Sequence, residues 1–127
     1  MVRGRYFKSG AYRDTDENKN DYEGFFSPIV LQEFGNYMNR HRKQSDGKIR
    51  DSDDWQKGIP KEQYIKSGWR HFLDWFLEHR GHKSRDGIIE ALCGLMFNVM
   101  GYLNEYLKER EKLKKDKELI RLRCLDE

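Results

Sequence analysis

Apolar residues recur at the three- and four-residue spacing of amphipathic helices in three segments of the chain, separated by polar, turn-rich sequence. The first predicted helix begins at Ser27 and Pro28, because serine is a favoured N-cap residue and proline suits the first helical position. It ends in the basic turn RHRK, since cations are favoured at the carboxyl end of a helix. Residues 1 to 26 are predicted to form an irregular arm, and the stretch SDGKIRDSDDWQKG a loop.

Two longer helices are predicted after this loop. The second helix begins at Pro60 and ends near His79, before Gly81. The third begins near Asp86 and continues into a charged extension. Their apolar stripes consist of Ile65, Trp69, Phe72, Leu73 and Phe76, and of Ile88, Leu92, Leu95, Val99, Leu103 and Tyr106. No strand pattern is present. The predicted fold class is therefore all-α: a small helical bundle with an irregular N-terminal arm and a long charged C-terminal helix.

Composition bears on the number of copies and on the partners. Hydrophobic residues make up 36% and charged residues 37% of the 127 residues, which leaves a small core for helices of this length. We therefore expect a homo-oligomer. The net charge of +3 is too small to indicate a nucleic-acid partner. No apolar run has the length of a signal peptide or a membrane span, so we expect a cytoplasmic protein without a membrane partner.

The second helix carries a polar stripe opposite its apolar one. Ser67, His71, Asp74 and Glu78 follow one another at helical spacing. An imidazole and two carboxylates on one stripe could bind a divalent cation or position a water molecule. The alternative is a solvated helix face with a hydrogen bond between His71 and Asp74.

The third helix carries small residues opposite its apolar stripe. Gly94 and Gly101 share this face with Glu90 and Phe97, and Asn98 lies beside them. A glycine inside a helix costs about 1 kcal/mol relative to alanine, so two glycines on one face predict close approach by a neighbour or a ligand. A carboxylate on such a face needs a metal, a cation or hydrogen bonds. Glu90 is thus either a metal ligand or half of an ion pair, with Arg70 or Arg85 as partner.

The arm and the loop offer residue types that suit a nucleotide. Arg13, Lys19 and Lys57 could bind phosphates, and Tyr12, Tyr22 and Trp55 could stack on a base. No phosphate loop of the type GxxxxGK[ST], no nucleophile elbow and no HExxH motif is present. The sequence therefore gives no sign of a P-loop enzyme, a serine hydrolase or a zinc peptidase.

Four segments together resemble a known family. They are SGAYRDTDENKNDYEGFFSPIVL, MNRHRKQSDGKIRDSDDWQKGIP, SGWRHFLDWFLEHRG and EALCGLMFNVMGYLNE, and they cover roughly residues 9 to 107. They are similar to the dATP/dGTP diphosphohydrolase N-terminal domain family, which is common in phages and prophages. The resemblance implies kinship with the MazG-like all-α nucleotide pyrophosphohydrolases. Those proteins are helical oligomers that hold Mg²⁺ with clustered Glu and Asp residues and cleave between the α- and β-phosphates.

The family patterns RDT, DYEGF, DxDNWQKGIP, WRH and EALxxLxFN fall on identifiable residues of this chain. They are Arg13, Asp14, Tyr22, Glu23, Asp54, Trp55, Lys57, Arg70, His71, Glu90 and Asn98. Two departures stand out. The chain has Glu17-Asn18-Lys19 where the family often has Glu-Gly-Lys, and it lacks the helical EExxE and ExxD patterns of the MazG-like enzymes.

The sequence pattern and the resemblance together predict three regions and two alternative functions. The regions are an arm over residues 1–26, a helical nucleotide-site domain over 27–107 and a charged extension over 108–127. The first function is a Mg²⁺- or Mn²⁺-dependent pyrophosphohydrolase acting on purine (deoxy)nucleoside triphosphates. The alternative is a phage protein that binds and sequesters a nucleotide, such as a host-defence signal, without turnover. A third possibility is a purely structural oligomer.

The pyrophosphohydrolase hypothesis gives a role to each candidate site residue. Arg13, Lys57 and Arg70 would hold phosphates, and Lys19, Tyr22, Trp55 and Asn98 would complete the nucleotide site. The catalytic residues would be His71, Asp74 and Glu90, and the metal ligands Asp54, Asp74 and Glu90. For a phage-encoded chain, the implied location is the cytoplasm of the host cell.

Overall fold

The computed structural model describes residues 3–126, and most of them are helical. Two strands, β1 (Gly4–Tyr6) and β2 (Tyr12–Asp14), precede the short helix α1 (Tyr22–Phe25) and the helix α2 (Pro28–Arg40). A 3₁₀ helix (Asp54–Lys57) leads into α3 (Lys61–His79), and the chain ends with α4 (Ile88–Asp126). The described residues form two compact units that divide between Glu33 and Phe34.

The first unit corrects the prediction that strands are absent. Strands β1 and β2 pair in antiparallel register, with Arg5 opposite Arg13. The Arg5 guanidinium also donates to the Asp16 carboxylate at 3.2 Å. Each strand has only three residues, all exposed, so the chain shows no alternation that the sequence pattern could reveal. The fold is therefore mostly helical, as predicted, but it is not all-α, because it includes a small two-stranded sheet.

The predicted helix boundaries of the three main helices are confirmed within two residues. The Ser27 hydroxyl accepts a hydrogen bond from the Val30 amide at 3.4 Å, as an N-cap residue does. Helix α3 begins directly after Pro60, and Gly81 follows its end with a φ of 83°. Such a positive φ favours glycine at this position.

Helices α3 and α4 pack against each other in opposite directions along the second unit. The pairs Lys61–Glu109 and Ser67–Asn98 join the two helices, with Lys61 and Glu109 at the far end from their connection. A Cβ atom at Gly94 would overlap the His71 ring, and one at Gly101 would overlap the Tyr64 ring. The prediction that these glycines permit close approach by a neighbour is therefore confirmed.

The faces of α3 are the reverse of a simple apolar-in arrangement. Trp69 of the predicted apolar stripe is 66% exposed, whereas Asp74 of the polar stripe is only 6% exposed. The polar stripe faces α4 and is not a solvated face, which corrects one of the two alternatives. The physical reason is size, because glycine, alanine and asparagine allow the two helices to approach closely and the bulky aromatic side chains do not.

Helix α4 extends far beyond its contacts with α3. It has 39 residues, which corresponds to a length of about 58 Å. Every described residue from Tyr106 onward is exposed, and Glu109, paired with Lys61, is the last residue joined to α3 by a salt bridge. Among residues 3–126, no helix combines the length and apolar character that crossing a membrane requires.

Candidate functional site

A cleft of about 200 Å³ lies in the second unit between the end of α2, the following loop and α4. Its apolar walls include Tyr37, Trp55 and Phe97, and its polar lining includes His41, Arg42, Arg50, Asp51, Ser52 and Asp54. The Trp55 and Phe97 rings meet edge to face, with centroids 5.9 Å apart. The cleft thus combines flat aromatic surfaces with two arginines.

The loop after α2 brings the two arginines together. An isolated bridge between Lys43 and Ile49 closes the loop, and the Arg50 amide donates to the Arg42 carbonyl at 2.9 Å. The Arg42 side chain returns a hydrogen bond to the Arg50 carbonyl at 2.8 Å, and the Arg50 guanidinium donates to the His41 carbonyl at 2.6 Å. Within the described residues neither guanidinium forms a salt bridge, although the charge of Arg50 contributes to lowering the pKa of Asp54 in the same cleft.

The 3₁₀ helix positions Trp55 against α4. The Lys108 ammonium donates to the Gln56 carbonyl at 3.0 Å, which ties the 3₁₀ helix to α4. The Lys57 ammonium donates to the Asp54 carboxylate at 2.8 Å and holds the pKa of that carboxyl below its ordinary value. Gly58 ends the 3₁₀ helix with a φ of 126°, a conformation that side chains other than glycine rarely adopt.

Tyr37 forms the buried wall of the cleft. It is 5% exposed, and its ring lies 4.2 Å from that of His41. Burial, and then the charge of Glu90, raise the pKa of Tyr37 to about 12. The hydroxyl therefore remains protonated and can donate a hydrogen bond at neutral pH.

Glu90 joins α4 to the end of α2. Its carboxylate accepts a hydrogen bond from Arg40 at 2.7 Å and lies 3.0 Å from the His41 ring nitrogen. Burial alone would raise the pKa of Glu90, but these two hydrogen bonds outweigh it and leave the pKa below its ordinary value. Glu90 is thus an ionised member of an ion pair, with Arg40 in place of the expected Arg70 or Arg85.

A second ion pair joins α3 to the loop that precedes α4. The Arg85 guanidinium donates to the Asp74 carboxylate at 2.6 Å and 3.0 Å. Next to it, burial and then the charge of Arg85 lower the pKa of His71. The His71 Nδ1 atom is buried without a hydrogen-bond partner among the described residues. His71 is therefore a neutral imidazole packed against Gly94.

The three predicted metal ligands lie against three different cations. Asp54 pairs with Lys57, Asp74 with Arg85, and Glu90 with Arg40. Within residues 3–126, no three His, Cys, Asp or Glu side chains gather in a group that could hold a metal ion. Mg²⁺ needs oxygen ligands that converge on one point, whereas these three carboxylates lie on three different elements, each against its own cation. The arrangement does not fit a Mg²⁺ site.

The structure separates the predicted nucleotide-binding residues of the second unit. Trp55 lines the cleft. Lys57 is exposed beside Asp54, and Arg70 is exposed on α3 and does not line the cleft. Asn98 is buried, and its amide donates to the Ser67 hydroxyl and the Gly94 carbonyl.

The remaining predicted residues belong to the first unit. Arg13 lies on β2 and is exposed, and the Lys19 ammonium lies 3.9 Å from the Asp16 carboxylate. Tyr22 begins α1, is 65% exposed and stacks on Phe26. Their assignment to phosphate and base contacts stays a prediction.

Sequence reasoning missed the residues that combine charge and aromatic surface in the cleft, namely Tyr37, His41, Arg42, Arg50 and Phe97. The basic run RHRK contains two of these residues, His41 and Arg42, but it does not by itself indicate a binding site, because basic residues are favoured at the carboxyl end of any helix.

Comparison with family models, with curated proteins and with solved structures found no match for this chain.

Proposed function

We propose that this protein binds a nucleotide in the cleft lined by Tyr37, Trp55, Arg42 and Arg50. The observation that carries this proposal is the pairing of aromatic walls with two arginines that form no salt bridge within the described residues. Aromatic side chains stack on bases, and guanidinium groups bind phosphates through paired hydrogen bonds. The resemblance of residues 9 to 107 to nucleotide-processing phage proteins supports the ligand class, and a MazG-like homo-oligomer is part of this proposal.

The dimensions of the cleft indicate which part of a nucleotide it holds. Its volume of about 200 Å³ is below the roughly 300–1,000 Å³ of sites that enclose a drug-sized molecule. In this proposal the base lies against the aromatic walls, and the phosphates lie at the open edge beside the arginines. Asp51 also lines the cleft, and its carboxylate can accept hydrogen bonds from a base amino group or a sugar hydroxyl.

Binding without turnover accounts best for the carboxylates, because all three predicted metal ligands are paired with cations. Hydrolysis of a nucleoside triphosphate is the second candidate, and one observation favours it. His71 is neutral and has a buried Nδ1 atom without a partner in the described part of the chain, and a neutral imidazole can accept a proton. His71 packs against Gly94 and does not line the cleft, so this candidate requires a site other than the cleft.

The proposal is tested by calorimetric titration of the protein with a panel of ribo- and deoxyribonucleotides. We expect binding of at least one purine nucleotide, and chromatography of the mixture with Mg²⁺ or Mn²⁺ should return it unchanged. Release of pyrophosphate would instead support the hydrolase. Absence of binding across the panel, together with no nucleotide released on denaturing the purified protein, would contradict the proposal.

Two arginine variants locate the binding site. Arg50→Ala should weaken binding about 10- to 150-fold, the equivalent of one charge-assisted hydrogen bond worth about 1.5–3 kcal/mol. Arg70→Ala is the matched control, since Arg70 is exposed outside the cleft. It should leave the affinity unchanged. A loss confined to Arg70→Ala would instead support the assignment that the family resemblance implies. Circular dichroism verifies that both variants remain folded.

A further inference from the structure

A second concave surface lies on the opposite side of α4 from the cleft. It is a groove of about 640 Å³ between α3 and α4, and we call it the α3/α4 groove. Its lining residues are Tyr64, Ile65, Gly68, Trp69, Phe72, Leu95, Asn98, Val99, Tyr102, Leu103 and Tyr106. None of them is charged, and the amide group of Asn98 already donates to Ser67 and Gly94. An exposed apolar surface of this kind marks an interaction site.

The exposure of the groove follows from how α3 and α4 pack. The two helices meet through Gly68, Gly94 and Gly101, and their large apolar side chains are left outside. Trp69 is 66% exposed and Val99 is 59% exposed. Covering these residues removes their apolar area from water, which stabilises the covered state by roughly 25 cal/mol per Å².

The same apolar stripe continues beyond the reach of α3. Val99 and Tyr106 line the groove, and Leu113 and Ile120 follow at successive seven-residue intervals. A seven-residue repeat keeps one helix face against a neighbouring helix. Within residues 3–126, the portion of α4 after Glu109 makes no hydrogen bond or ion pair with another element. Helices in proteins are stabilised mainly by packing of an apolar face, and the apolar positions of this portion are exposed.

We propose that a second copy of this chain covers the α3/α4 groove and the stripe beyond it, with the two α4 helices parallel. A two-fold dimer needs one surface that contains both ridges and hollows. Here the bulky Trp69 and Tyr106 adjoin a floor of Gly68 and Asn98. Two such helix pairs form a four-helix core. The parallel arrangement follows from covering both surfaces at once: with groove against groove, only parallel α4 helices also place Leu113 and Ile120 of both copies against each other.

Two further observations favour a second copy over a small ligand. The groove offers no charged group to orient a nucleotide, in contrast to the cleft. Residues 108–126 contain eight Lys or Arg and five Asp or Glu residues, so oppositely charged side chains of two extensions can pair. The inference does not depend on nucleotide binding and goes beyond the expected homo-oligomer by assigning its surface and orientation.

Light scattering at micromolar concentration tests the surface. The wild-type mass should be twice the chain mass of 15.4 kDa. Val99→Glu and Trp69→Glu should lower it to one chain, because a carboxylate in an apolar interface loses its hydration. Ile49→Glu is the matched control, since Ile49 is 68% exposed but lies outside the groove, and it should remain dimeric. A monomeric wild type, or dimeric groove variants, would overturn the proposal.

Two measurements that leave the groove residues unchanged test the proposal even if a glutamate variant fails to fold. Hydrogen exchange of the wild type should protect amides 110–120 at high protein concentration and lose that protection on dilution. Cys124 is exposed and follows Ile120 by one turn on the same stripe. A short bismaleimide should therefore join two copies through Cys124, and Cys124→Ser should prevent this. A dimer that does not cross-link at Cys124 would overturn the parallel arrangement, and unprotected amides would overturn the role of the extension.

Discussion

The polar residues near the interface of α3 and α4 are held by ion pairs and packing contacts with their neighbours. His71, Asp74 and Glu90 were predicted to act together on a substrate. The structure instead commits Asp74 to Arg85 and Glu90 to Arg40, and it packs the neutral His71 ring against Gly94. An ionised carboxylate in a half-buried environment is stabilised by such a partner. The same residue types that suit catalysis therefore also suit a structural interface.

His71 makes the stability of the protein depend on pH. Burial, and then Arg85, lower its pKa below the ordinary value of 6.5, so the unfolded chain binds a proton at a higher pH than the folded chain does. The stabilisation is therefore complete above pH 6.5 and decreases as the pH falls through the folded-state pKa. Glu90 has the same sign but acts only below its ordinary value of 4.5.

Denaturant unfolding over a pH series checks this prediction. His71→Gln should reduce the loss of stability on acidification from pH 6.5, a loss limited to about 1.4 kcal/mol per pH unit for one proton. His79→Gln removes an exposed histidine and should retain the wild-type pH dependence. If His71→Gln retained that dependence as well, the titrating group would lie elsewhere.

At the scale of elements, the packing of α3 on α4 depends on the absence of side chains at two α4 positions. Gly101→Ala places a Cβ against the ring of Tyr64, which is only 2% exposed. We expect destabilisation of about 1–3 kcal/mol, as for other overpacked sites, in spite of the better helix propensity of alanine.

Gly35→Ala is the matched control for Gly101→Ala. Gly35 lies inside α2, and an added Cβ would have no neighbour within 4 Å. This variant should be more stable than the wild type by about 0.5–1 kcal/mol. Equal stabilisation by both substitutions, measured by chemical denaturation, would show that α3 and α4 do not approach closely at Gly101.

Local sequence signals determined the boundaries of the helices but not the orientation of their faces. Ser27, Pro60 and Gly81 mark helix ends through their own backbone chemistry, which needs no distant contact. An apolar stripe, in contrast, shows that a face needs a partner without showing which chain supplies it. Trp69 and Val99 were thus correctly placed on apolar stripes, but the single chain leaves both exposed.

The candidate site was predictable only in part, for a related reason. The turn chemistry around Gly58 located Trp55 beside a helix start, and Trp55 lines the cleft. The contact between Arg42 and Arg50 depends on the bridge between Lys43 and Ile49. Such a register within a polar loop has no hydrophobic alternation to reveal it.

At the scale of the whole molecule, the second unit presents two concave surfaces with different chemistry. Phe97 of α4 lines the cleft, and Val99, two residues later, lines the α3/α4 groove. The cleft is polar at its edge and carries arginines, whereas the groove is apolar along its length. We assign the nucleotide to the first surface and a second copy of the chain to the other.

The three tryptophans distinguish these two surfaces in one measurement. Trp55 lines the cleft, Trp69 lines the α3/α4 groove, and Trp75 lines neither. The measurement is an NMR titration of ¹⁵N-labelled protein, in which single Trp→Phe variants assign the three indole N–H signals. The titrant is a nucleotide whose binding has been detected by calorimetry. We predict that the Trp55 signal shifts with saturation at the calorimetric affinity, while those of Trp69 and Trp75 remain unchanged. A nucleotide that binds without moving Trp55, or that moves Trp69 instead, would contradict the assignment of the cleft.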